Sequence, residues 1–302
     1  MSFIKKYLNP KNDVAFKRIF GTEKNKDILI AMLNAVVGSQ LHTKIEDVVF
    51  LSPMQEPEAL AKKQSIVDVL CCDTDGCQYI IEMQIVDTAG FEERAQYYAS
   101  KAFVSQADKG SAYKDLKEVI FLAFCDFAIF PEKKHYKSEH ITLDKHTYEQ
   151  NLDKLSFTFV DLVKFDEQRS REVKHLCLEE KFYYFLRHAE NMKDEELAKL
   201  VGKDQVISKA FHELERFGWS EQEIRRYEQE DKRVRDNRAA MEKAVEVARA
   251  EGKAEGKVEG KVEGRAAREK EIIQQLLASG MQKAQIAQVL GISIARLEEL
   301  LG

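Results

Sequence analysis

Apolar residues recur at helical spacing twice before any strand pattern begins. After Pro10, Val14, Phe16, Ile19 and Phe20 define one face, with Asp13 placed to cap or enter the first turn and Gly21 as the stop. Ile28, Leu29, Met32, Leu33 and Val36 predict a second helix over residues 27–37, ended by Gly38. The period then shortens. Residues 46–52 read as a strand, the segment around Pro53 and Pro57 as a loop, and residues 65–72 and 77–86 as two further strands. Asp75-Gly76 between them is a tight-turn signal, so a helix pair followed by an antiparallel meander is expected.

A helical pattern returns over residues 88–109, closed by Gly110, and is followed by K-E-V-I-F-L-A-F-C, the continuous apolar run of a strand buried on both faces. Shorter strands fit residues 139–143 and 156–163. A helix linking the meander to a central strand implies a mixed sheet with helices packed on it, an α/β fold or its α+β relative. Beyond Phe165 only helical patterns remain, over residues 170–189, 194–201, 204–217 and 220–250. Ser220, beside the single Trp219, is an N-cap candidate with Glu223 at the capping-box position.

From Glu251 the chain repeats with period four, E-G-K-A-E-G-K-V-E-G-K-V-E-G-R. Each glycine costs a helix about 1 kcal/mol relative to alanine, and period four stacks like charges. A flexible solvated spacer is the favoured expectation; the alternative is a helix whose glycine ridge admits a close neighbour. In the last segment Ile286, Ala287, Leu290, Gly291, Ile292, Leu297 and Leu300 fall where a helix-turn-helix needs its small residue, turn glycine and core aliphatics. Its second helix offers one arginine against two glutamates, so a small packing or dimerisation module is the favoured expectation and a DNA reader the alternative. The expected organisation is a catalytic-type domain over residues 1–165, a helical extension over 166–220, a long helix and repeat linker over 221–268, and a helix-turn-helix-like tail over 269–302.

Composition narrows the field. The 302 residues carry a formal net charge of -5, so any nucleic-acid contact must come from a local basic patch. Five cysteines at no metal-ligand spacing argue for a reducing compartment. No signal-peptide h-region and no apolar run near the ~18 residues of a membrane span are present, which makes a cytoplasmic protein the expectation.

The chemistry concentrates between Ile66 and Gln84. Asp68 and Glu82 each interrupt a largely apolar strand pattern, and a tight hairpin places them side by side, with Gln84 on the Glu82 face. Paired carboxylates repel unless a cation lies between them, and a sparse oxygen donor set suits Mg²⁺ or Mn²⁺. Such an ion can activate water against a phosphodiester, with Gln84 orienting that water. The same alternation also fits an ordinary half-exposed strand. On the following helix Arg94, Tyr98 and Lys101 share a face beside Tyr97; basic groups with aromatics suit phosphate and stacked bases, while Tyr97 and Tyr98 fit a core equally well.

Five separated motifs occur in order: N-D-V-A-F-K-R-I-F-G at Asn12 to Gly21, D-V at Asp68, the turn Gly76, I-E-M-Q at Ile81 to Gln84, and F-E-E-R-A-Q-Y-Y-A-S-K-A at Phe91 to Ala102. Together they closely resemble the PD-(D/E)XK nuclease family transposases, also called Rpn family recombination-promoting nucleases. The resemblance covers roughly the first half of the chain. It implies a restriction-endonuclease-like fold and Mg²⁺-dependent DNA cleavage in bacteria. Asp68 and Glu82 then match the metal-binding acids and the Met83 carbonyl a further ligand, while Gln84 stands where the wider superfamily has lysine. Asp13 matches an N-terminal motif, as metal support or as a helix cap. The DNA-binding set becomes Arg94, Tyr97, Tyr98, Lys101 and Lys17. DNA is the implied partner; apart from the resemblance, a homo-oligomer through the C-terminal helical region is expected, and a catalytically inactive DNA-binding or oligomerisation protein that keeps the nuclease fold is the alternative.

Overall fold

The computed structural model describes residues 5–41, 43–55, 65–107 and 112–301. Pro57 and Gly110 lie outside the described residues. Two helices come first, α1 (Asp13–Phe20) and α2 (Lys26–Val36). Asn12, not Asp13, caps α1: its side-chain oxygen accepts the Val14 N–H at 3.0 Å, and Asp13 is the first helical residue.

The strands are β1 (Val48–Phe50), β2 (Met54–Gln55), β3 (Ser65–Ile66), β4 (Val69–Asp73), β5 (Gln78–Gln84), β6 (Val119–Cys125), β7 (Lys137–Thr142) and β8 (Leu152–Asp161). Six of them form one sheet in the order β1-β4-β5-β6-β8-β7, while β2 and β3 pair separately. The meander β1-β4-β5 is antiparallel, β5-β6-β8 is parallel, and β7 returns antiparallel on β8. β6 is buried along its whole length, as its uninterrupted apolar run requires.

Alternation sorts the central strands onto two cores. Tyr79, Ile81 and Met83 of β5 and Ile120, Leu122 and Phe124 of β6 face a large core closed by α1, α2, α4 (Leu162–Gln168), α5 (Leu178–His188) and α7 (Gln205–Glu213). Ile80 of β5 and Phe121 and Ala123 of β6 face the other way, against Phe91, Ala95, Ala99 and Ala102 of α3 (Phe91–Val104). Helix α6 (Asp194–Val201) adds Leu200 to the large core. The α/β expectation, a mixed sheet flanked by helices with a helical C-terminal extension, is met.

Two expectations need correction. Residues 65–72 are not one strand: β3 and β4 are separated at Val67 and Asp68, because the Asp68 backbone N–H goes to a side chain instead of a ladder partner. The Glu-Gly-Lys repeat is not a spacer without structure but lies inside α8 (Glu221–Ala278). Ser220 and Glu223 form the capping box that starts α8, with Ser220 N–H donating to Glu223 at 2.8 Å and Glu223 N–H to Ser220 at 3.3 Å. Residues 1–234 and 235–302 are two compact units. In the second, α9 (Lys283–Leu290) and α10 (Ile294–Leu301) are joined through Gly291 in the left-handed region, and Ile273, Ile286, Ala287, Leu297 and Leu300 form their own apolar core.

Candidate active site

The β4–β5 hairpin aligns the site. Asp73 closes its turn by accepting the N–H groups of Asp75 and Cys77, and Gly76 takes φ +84° where a side chain would be strained. The register pairs Val69 with Ile81, so the next step sets Asp68 against Glu82 on the α3 face. Their contacts are reciprocal: Asp68 N–H donates to Glu82 Oε1 at 3.2 Å, and Met83 N–H donates to Asp68 Oδ2 at 2.9 Å.

Glu82 is 6% exposed. Burial and then the neighbouring Asp68 carboxylate raise its pKa, against the pull of the Asp68 N–H, Arg94 and Lys17. Burial raises that of Asp68 as well; the Met83 N–H opposes the shift and Asp13 adds to it. Both acids thus sit where negative charge is costly. Lys17 stands at the rim, 2.6 Å from Asp13 and 3.6 Å from Asp68. Burial opposes its charge, yet the Asp13 hydrogen bond and the surrounding carboxylates hold its pKa above the ordinary lysine range.

Gln84 is held at both ends. Its Oε1 accepts from Arg94 Nη2 at 2.8 Å, and its Nε2 donates to the Val86 carbonyl at 2.8 Å and to Thr88 Oγ1 at 3.4 Å. Both ends of the Gln84 amide are thus anchored by protein, and its Oε1 keeps a second lone pair. Arg94 lies 4.9 Å over the Phe91 ring. Tyr98, half-buried, senses the acids: burial and then the Glu82 carboxylate raise its phenol pKa. Tyr97 is more exposed and has Lys101 5.9 Å over its ring, so this pair forms a second station on α3. The structure thus brings together Asp13, Lys17, Asp68, Glu82, Met83, Gln84, Arg94 and Tyr98.

Sequence reasoning missed a neighbouring cluster. Asp126 follows β6, donates its N–H to the Gln84 carbonyl at 2.9 Å, and pairs with Lys11 at 2.7 Å and with Arg187. The available signal was a carboxylate directly after a buried strand in a parallel sheet, where α/β sites collect. Lys11 and Arg187 carry no local signal.

Among the described residues no three His, Cys, Asp or Glu side chains come together as a metal cage. What is present, two facing carboxylates whose repulsion a cation would relieve, is a sparse oxygen donor set that fits a divalent ion keeping most of its waters.

A mixed α/β sheet with facing acids at Asp68 and on β5, next to an Arg- and Tyr-bearing helix, is consistent with a nuclease-type fold. Residues 10–244, more than three-quarters of the chain, match the sequence model of the PD-(D/E)XK nuclease family transposases, and the chain belongs to that family. Searches of curated proteins and of solved structures returned no match.

Proposed function

We propose that this protein is a divalent-metal-dependent DNA endonuclease of the recombination-promoting, transposase-like type, with Mg²⁺ as the ion and Mn²⁺ as a substitute. The observation that carries the reading is the facing Asp68–Glu82 pair, with Glu82 buried and Asp68 half-buried, both raised in pKa by burial, Glu82 further by the Asp68 carboxylate and Asp68 by Asp13. Asp68 and Glu82 would hold the ion, with the Met83 carbonyl as a further donor. When bound, the ion supplies Lewis acidity at a phosphoryl oxygen and lowers the pKa of a coordinated water.

The remaining roles belong to the chain's own groups. The Lys17 ammonium, beside Asp68 Oδ1, would neutralise a phosphate oxygen, and Asp13 positions it. Arg94 fixes Gln84 and offsets the Glu82 charge, which makes Gln84 a positioning residue. Tyr98, Tyr97 and Lys101 would continue the DNA-contacting surface along α3. A cytoplasmic location and a homo-oligomer built through the C-terminal helices complete the proposal.

Supercoiled plasmid with Mg²⁺ or Mn²⁺ tests it. Asp68→Ala and Glu82→Ala should each reduce nicking by at least about a hundredfold while circular dichroism stays unchanged. The engagement of both ends of Gln84 favours one second reading, a DNA-binding protein that keeps the fold without cutting. Wild-type protein that binds plasmid but never nicks it would establish that reading.

A further inference from the structure

We propose that the cavity between α3 and the β7–β8 edge of the sheet binds one unpaired nucleobase carrying an exocyclic amino group, supplied by the DNA strand engaged at Asp68 and Glu82. The proposal rests on the nuclease reading above.

The cavity measures about 320 Å³, at the small end of the range for ligand pockets. One wall is aromatic. Phe130, His140 and Phe159 pack with ring centroids 5.2 to 5.6 Å apart, and Phe157 also lines the space. Burial and the nearby Lys133 hold the His140 pKa below the ordinary histidine range, so the ring is neutral near pH 7. A planar aromatic guest suits such a wall.

The opposite wall is polar. Glu92 and Gln96 lie one turn apart on the same flank of α3. Gln96 Nε2 donates to the Glu92 backbone carbonyl at 3.2 Å, while the Glu92 carboxylate makes no hydrogen bond to another described residue. Glu92 is half-buried, and an aliphatic guest would displace water from that carboxylate without replacing the hydrogen bonds it loses. A carboxylate accepts only, so it favours a ring bearing an N–H₂ group, as cytosine, adenine and guanine do, over thymine, whose single N3–H is flanked by two carbonyl oxygens that a carboxylate repels.

The placement ties the cavity to the acids. Glu82, Ala123 and Phe159 lie in one row across β5, β6 and β8, so the cavity wall is two strand spacings, about 10 Å, from the catalytic strand on the same face. Helix α3 has one flank on each: Arg94 and Tyr98 toward the acids, Glu92 and Gln96 toward the cavity. Lys133, 4.4 Å over the Phe130 ring, supplies a cation near the same wall for a nucleotide phosphate. A strand whose phosphate lies at Asp68 can therefore deliver a neighbouring base, turned out of its stack, to this wall.

Equilibrium dialysis of the full-length protein with dCMP, dAMP and dTMP tests the assignment. Wild type should bind dCMP and dAMP at least about fivefold tighter than dTMP, Glu92→Gln should erase that preference, and Phe130→Ala should weaken all three about tenfold. Asp68→Ala should retain base-selective binding. Equal affinity for the three nucleotides in wild type, or no binding of any, overturns the proposal without recourse to a variant. Plasmid nicking is run alongside: cutting without base-selective binding overturns the pocket alone, whereas base-selective binding in a protein that never cuts supports the pocket and removes the nuclease reading.

Discussion

Glu82 occupies a position where most sheets would place an aliphatic side chain, and its cost depends on pH. Burial and Asp68 raise its pKa in the folded chain above the usual carboxylate range. The folded state then holds a proton that the unfolded state has released, so stability is complete below pH ~4 and falls as pH rises toward the raised folded value. Asp68 adds a slope of the same sign. Without divalent ion the protein should melt lower at pH 8 than at pH 6. Glu82→Gln removes the charge at near-constant shape and should raise the pH 8 melting temperature by about 3 °C or more, with little change at pH 5. Calorimetry at the three pH values measures this, and an unchanged or lowered pH 8 transition would refute the electrostatic account.

Among the elements, α8 departs furthest from what its composition suggests. Gly252, Gly256, Gly260 and Gly264 lie within its 58 residues, and a Cβ added at any of them meets no atom within 4 Å. Each glycine is flanked by glutamate and by lysine or arginine, all good helix formers, and cooperative propagation carries a helix through weak residues when both flanks are strong. Glycine in an open helix position costs about 1 kcal/mol relative to alanine. Replacing all four by alanine should therefore raise helical ellipticity and its thermal midpoint, with no loss of plasmid nicking. A drop in helicity would mean that the glycines serve a close contact.

At the scale of the molecule, the unit boundary after Val234 decides where the chain can be cut. Tyr227, although part of α8, is buried in the large core; its hydroxyl accepts the Asn9 N–H at 3.0 Å and its carbonyl accepts from Asn12 at 3.1 Å. Trp219 packs on it with ring centroids 6.1 Å apart. Truncation at Glu221 would strip this anchor, whereas truncation after Val234 preserves it. The shorter protein should keep its fold and sediment as a monomer if residues 235–302 drive assembly. An oligomer unchanged by the cut would sink that part of the proposal. Among the described residues no helix is long and apolar enough to cross a membrane.

Local physics made much of this legible in one dimension. Helical and strand periods located α1, α2, α3, β5 and β6, because each element buries one stripe or one face. The Asp75-Gly76 turn set the hairpin, and the strand period of two then aligned Asp68 with Glu82 and placed Gln84 on the Glu82 face. Only tertiary structure could decide the rest. Asp68 leaves its strand because its N–H is taken by Glu82, and Gln84 is held by Arg94, Val86 and Thr88. Lys11, Asp126 and Arg187 meet across separations of 115 and 61 residues. The aromatic cavity likewise joins α3 to β7 and β8. Periodicity reports which face a residue turns toward its own neighbours in the chain; which distant groups share that face is set by packing.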